Sequence, residues 1–126
     1  MRILTDTHIL IWALEESPLL PKEARRLLTS RSSEIFISMA SIWEIAVKAS
    51  SGKLSLKSKN LEEEITEYGG RILDIQFKHC QRIQSLPDIH RDPFDRMLIA
   101  QSELEHMQLL TTDATLGKYG PHVRVV

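Results

Sequence analysis

An α/β fold, with a mostly parallel sheet of four or five strands sandwiched between two layers of helices, is what the 126-residue sequence predicts. Three observations carry the prediction. Short apolar runs alternate with longer helical segments from end to end, as in a parallel sheet with helices on both faces. Two of the runs, "RILTD" at 2–6 and "QLLTTD" at 108–113, suit strands buried on both sides. Finally, hydrophobic content of 42% and charged content of 26% are globular values, and the length suits one core, so a single domain over 1–126 is expected.

The elements follow in order. "RILTD" (2–6) reads as a buried strand ending in an acid. "THILIWALEE" (7–16) reads as a helix with Thr7 as its N-cap and "SPLLP" as its stop. "PKEARRLLTS" (21–30) is a second helix with proline at its first position. "EIFIS" (34–38) is a strand, and "SMASIWEIAVKAS" (38–50) a helix closed near Gly52. A helix at 60–68 and the strand "RILDI" (71–75) flank Gly69 and Gly70. "KHCQRIQSL" (78–86) is helical, and "DPFDRMLIAQ" opens a helix from Pro93 to about His106. "MQLLTTD" (107–113) and "VRVV" (123–126) are the last strands.

Several function classes are excluded at this point. No apolar run approaches the roughly 18–20 residues that span a bilayer, and "ILIWAL" is too short for a secretory signal. The one cysteine, Cys80, has no internal disulfide partner. It is expected as a small buried apolar residue, and a reducing cytoplasm is the expected compartment. A formal net charge of −1 announces no general basic surface. Arg25, Arg26 and Arg31, and Lys48, Lys53, Lys57 and Lys59, read as solvated surface.

The acids are more informative. Asp6 and Asp113 each follow an apolar strand, and ligands of open α/β sheets bind outside the carboxyl ends of the strands. Helix capping is the alternative for either one alone. In the 38–50 helix, Ser41, Glu44 and Lys48 fall within about 60° of one another on an otherwise apolar cylinder. Such a stripe either faces solvent, with Glu44 and Lys48 paired, or faces a buried polar site. Asp92 before Pro93 has the signature of an N-cap. Asp95 is hemmed in by Phe94, Met97, Leu98 and Ile99, which a helix start does not require. A shared site accounts for all four acids. Two carboxylates about 4 Å apart repel by roughly 4 kcal/mol at an effective dielectric near 20, so four in one pocket require a cation. The four chosen donors are all carboxylates, and an all-oxygen set suits Mg²⁺ or Mn²⁺. Such an ion equips a site for phosphodiester hydrolysis.

The segments "ILTDTHILIWAL", "ISMASIWEIAVKASSGKL", "DPFDRMLIAQ" and "LLTTDATLGKYG", in this order, together resemble a PIN-domain protein of the VapC type. These are the toxic ribonuclease halves of bacterial and archaeal toxin–antitoxin pairs, and the resemblance covers nearly the whole chain. It implies a PIN-like α/β/α fold and a Mg²⁺- or Mn²⁺-dependent endoribonuclease acting on RNA. It also implies a homodimer and a cognate antitoxin whose tail blocks the site. The family's acids map onto Asp6, Glu44, Asp95 and Asp113 as metal ligands and catalytic residues. Ser41, Arg96 and Thr111 are the candidates for substrate contact, and "LIWAL" offers an apolar surface for an interface.

Other classes fit less well. A PIN-like nuclease on DNA would share the acids, but a flap-type enzyme needs helical segments that this chain lacks. A phosphoacceptor domain wants adjacent acids after the first strand, whereas "LTDTH" has one. An aspartate-based phosphatase wants a D-x-D pair, and "DTH" lacks it. A catalytically silent binding module requires a decayed site, and all four acids are present.

Overall fold

Strand β1 (Arg2–Thr5) occupies the middle of the sheet, and every other strand is placed relative to it. The computed structural model describes residues 1–126. Its remaining strands are β2 (Glu34–Ser38), β3 (Arg71–Leu73), β4 (Gln108–Thr111) and β5 (Val123–Val125). The sheet order is β3-β2-β1-β4-β5 and all pairings are parallel. The chain first builds outward from β1 to β2 and β3, then crosses back to place β4 on the other side of β1. The direction therefore reverses between β1 and β4, which makes the carboxyl ends of these two strands a topological switch point.

Six helices cover the faces: α1 (Thr7–Leu14), α2 (Lys22–Thr29), α3 (Met39–Ser50), α4 (Leu61–Tyr68), α5 (Phe77–Ser85) and α6 (Pro93–Leu104). Strand alternation splits the core between them. Ile3, Ile35, Ile37 and Leu110 join one cluster with Ile9, Leu10, Ile45 and Ile65. Leu4 and Leu109 join the other with Leu98, Ile99, Ala100 and Leu116. Burying each such side chain is worth about 1.5–3 kcal/mol, so the two-sided sheet holds both layers. Gly69 closes α4 in the left-handed region at φ 90°, and at Gly70 a Cβ would lie 2.5 Å from Ile37 Cδ1. The strand β3 can start close to α4 only because of these two residues.

The structure corrects several local expectations. Asp6, not Thr7, caps α1: its side chain accepts from the Ile9 N–H at 2.8 Å. Pro21 occupies the cap position of α2 rather than its first turn. Strand β3 ends at Leu73, short of residue 75, and α6 ends at Leu104, with His106 in the left-handed region. A 3-10 turn at Leu116–Tyr119 was not foreseen. Cys80 is exposed rather than buried, because it faces outward from α5 while His79 faces in. Within "LIWAL", Leu10, Ile11 and Ala13 are buried and Trp12 packs against the core, so this stretch is core rather than free surface. Exposed apolar residues are scattered over the surface, Leu19 and Phe77 among them, and three share the outer side of α3: Met39, Trp43 and Val47, at 37%, 59% and 44%. No helix is long and apolar enough to cross a membrane.

Candidate active site

The polar stripe of α3 points inward. Ser41 and Glu44 are buried, and it is the apolar side of the helix that meets solvent. Glu44 is only 4% exposed, and its two oxygens are held separately. The Thr7 hydroxyl donates to Oε1 at 2.6 Å, and the Lys48 ammonium, one turn along α3, donates to Oε2 at 2.5 Å. Thr7 Oγ1 also lies 3.1 Å from Ser41 Oγ, which joins α1 to α3 beneath the carboxylate.

Asp6 leaves the end of β1 and is 6% exposed. Oδ1 caps α1, and Oδ2 accepts from the Thr111 hydroxyl at 2.5 Å. Burial raises its pKa above the usual carboxylate value, against the pull of those two donors and His8, while the Glu44 charge adds to the rise. Thr111 closes β4 and is fully buried. Its oxygen also accepts from the Asp113 N–H at 3.0 Å, so one threonine ties Asp6 to the loop that carries Asp113. Asp113 Oδ1 accepts from the Thr115 N–H at 2.9 Å, which leaves Oδ2 turned to the cleft.

Asp95 sits in the first turn of α6, whose N-cap is Asp92, accepting from the Asp95 N–H at 2.9 Å. The Asp95 pKa is pushed up to about 7. Burial is the main cause, followed by the charges of Asp92 and Glu44; His90 opposes the rise, and Asp6 adds to it. The four predicted acids therefore line one cleft of about 150 Å³, together with Thr7, His8, Lys48, Asp92 and Thr112. Leu116 is its one apolar wall.

Histidine was not expected in this donor set, yet His90 Nε2 lies 3.4 Å from Asp113 Oδ2 and 3.7 Å from Asp95 Oδ2. These three groups have ligand atoms within 4.8 Å of one another. The ring orientation decides what His90 can do. Nδ1 accepts from the Asp92 N–H at 3.1 Å, so in the neutral ring the proton is on Nε2. In that tautomer Nε2 offers a hydrogen, not a lone pair, to the carboxylates. The donors left for a cation are the carboxylate oxygens, whose chemistry suits a hard divalent ion.

The residues expected to touch substrate are engaged within the protein. Ser41 and Thr111 are both fully buried. Arg96 donates to the carbonyls of Ile83, Pro87 and His90 at 3.0–3.2 Å and lies 3.4 Å from Tyr119 Oη. It clamps the 83–90 segment, and Tyr119 Oη accepts from the His90 N–H at 3.0 Å. Arg96 thus acts on the site by holding His90, and direct phosphate contact does not fit these bonds. His8 and His90 are cleft residues the sequence reading left out, and Lys48, expected on the polar stripe and there paired with Glu44, was read as surface rather than as part of the site. The one available signal was their position within two to five residues of a chosen acid.

Comparison with known proteins bears on the family and the fold. No curated protein matches the chain in sequence. Its structure is similar to a chain from the crystal structure of VapBC2 from Rickettsia felis bound to a DNA fragment from their promoter. The TM-score is 0.72 at 16% identity, over 100% of this chain and 98% of that one. It is also similar to a chain of a toxin–antitoxin complex from Klebsiella pneumoniae, with a TM-score of 0.68 at 18% identity over 98% and 96% of the two chains. The PIN domain profile matches residues 3–120, nearly the whole sequence. With an all-parallel α/β fold shared with VapBC complexes and that match across almost its full length, the chain belongs to the PIN domain family, whose VapC-like members are nucleases.

Proposed function

We propose that this protein is a Mg²⁺- or Mn²⁺-dependent endoribonuclease acting as the toxin of a toxin–antitoxin pair. The observation that carries the reading is the meeting of Asp6, Glu44, Asp95 and Asp113 at one switch-point cleft with too few cations among them. Asp6, Glu44 and Asp95 would hold the metal, with Asp113 at the rim. A bound divalent ion would activate a water and neutralise charge on the phosphate oxygens. Thr7 and Thr111 fix the two buried carboxylates, so the donors need not reorganise during the reaction. His90 presents a hydrogen-bond donor beside Asp95 and Asp113, where it would meet a phosphate oxygen drawn in by the bound ion.

The partner would be an antitoxin protein, as in the VapBC complexes that share the fold. A homodimer has a suitable surface on the outer side of α3, where Met39, Trp43 and Val47 are exposed. A cytoplasmic setting follows from an RNA substrate.

Purified protein should cleave a labelled RNA in Mn²⁺ or Mg²⁺ and stop when the ion is chelated. Asp6→Asn and Asp95→Asn should each lower the rate by at least about 10³-fold while keeping the fold. Equal cleavage of RNA by Asp95→Asn would sink the metal reading. Preference for a DNA strand of the same sequence would transfer the proposal to a DNA nuclease.

A further inference from the structure

The cleft is neutralised in part by its own side chains, and one of these reaches in from solvent. Lys48 stands one helical turn after Glu44, with Nζ at 2.5 Å from Oε2. Glu44 is almost fully enclosed, whereas Lys48 keeps 36% of its side-chain surface in solvent. The ammonium therefore enters the cleft from its edge at the end of a flexible stem, and a rotamer change carries it back out. It also feels the charges of Asp92 and Asp95 in addition to that of Glu44. An ammonium touching the most buried acid and facing two others occupies the electrostatic position that a divalent ion would take.

We propose that Lys48 is a displaceable counter-cation: it neutralises Glu44 in the metal-free chain, and a divalent ion entering the cleft exchanges with it. This rests on the divalent-ion reading above. Exchange makes metal binding weaker than the carboxylates alone would allow, since an ion pair must be broken as the metal arrives. It also releases a positive charge to the mouth of the cleft, where a nucleic-acid phosphate would lie.

A lysine that merely positions Glu44 would have the opposite effect on affinity, and this separates the two roles. Mn²⁺ binding to the full chain, measured by calorimetry without nucleic acid, should be tightened about tenfold by Lys48→Met. Lys48→Gln should act in the same direction. In ¹⁵N-lysine spectra of the wild type, the hydrogen-bonded Lys48 ammonium signal should disappear as Mg²⁺ saturates the site. Unchanged or weaker Mn²⁺ binding in both variants would overturn the proposal. So would an ammonium signal that persists with Mg²⁺ bound. If the wild type and both variants all fail to bind Mn²⁺, the divalent-ion reading itself falls, and the exchange with it.

Discussion

Helix α6 passes through two buried polar regions, and they are built on opposite principles. At its N-terminus Asp95 faces Asp92, Glu44 and Asp6, with His90 and Lys48 as the nearby cationic or proton-bearing groups. In its middle, Gln101 accepts from the Ser38 hydroxyl at 2.6 Å and donates to the Asp74 carbonyl at 3.2 Å. Its amide also lies 3.4 Å from His79 Nδ1. The fully buried His79 accepts from the Gln76 N–H and reaches Glu105 Oε1 at 3.2 Å, which Lys78 meets from outside. There each polar group has a partner and each charge an opposite. A satisfied network of this kind fixes a fold, whereas an unsatisfied cluster of like charges persists only where something else supplies its counter-charge. The contrast separates a self-satisfied polar region from the candidate site on the same helix.

Breaking the closed network should give the largest stability effect. Gln101→Leu removes the acceptor of the buried Ser38 O–H and the donor to the Asp74 carbonyl, and is expected to destabilise the protein by about 3 kcal/mol. Chemical denaturation measures this, and Mn²⁺ affinity of the folded protein should stay the same. A large loss of affinity would mean that the two regions are coupled through α6.

The open cluster should show itself in pH. The Asp95 pKa in the folded chain, about 7, lies above its ordinary value of 3.8. The folded state then binds more protons than the unfolded one between these values, so stability is greatest at low pH and falls as pH rises from about 4 to about 7. This is the reverse of the usual ion-paired carboxylate. Comparing wild type with Asp95→Asn, in chelator, should isolate a difference of order 2 kcal/mol across that window. That is roughly half of what the full shift is worth, because the carboxyl retains water contact. Parallel stability curves for the two proteins would refute a desolvated, repelled Asp95.

The smallest effect tests the cap. Asp92→Ala should cost about 1 kcal/mol of stability through loss of the bond to the Asp95 N–H. It should also let Asp95 ionise at lower pH, since the Asp92 charge is the second cause of its raised pKa. A carboxyl NMR titration of Asp95 that does not move in this variant would show that burial alone sets the value.

Much of the fold could be read from the sequence because apolar runs and helix signals repeat with clear periods. Doubly buried strands such as "RILT" leave little choice of face. The four acids that meet in the cleft were marked in two ways: Glu44 interrupts an apolar helix and Asp95 sits among Phe94, Met97 and Leu98, whereas Asp6 and Asp113 each follow an apolar strand. The residues that escaped do not violate anything locally. His90 lies in an irregular segment, and its direction is set by Arg96 and Tyr119, which come from α6 and the 3-10 turn. Thr111 looked like a substrate contact because it sits beside an acid. Its burial depends on β4 lying next to β1, a long-range pairing that no local pattern reports. The α1 cap was misplaced by one residue because Asp6 performs two tasks at once, capping a helix and lining the cleft.

The central placement of β1 also sets the order in which the molecule can become active. Asp6 and Thr111, whose side chains meet at 2.5 Å, are separated by 105 positions in sequence. Glu44 and Asp95 enter from segments between them. Contacts of such long range form late and slowly compared with local helices, and a chain emerging from the ribosome folds from its N-terminal side. A nascent chain that has reached α6 already carries Asp6, Glu44 and Asp95, but β4 is still missing from beside β1 and Asp6 lacks one of its two anchors. The cleft is completed only when residues 108–113 have emerged and docked, so a growing polypeptide that stops short of β4 carries three of the acids without the assembled cleft.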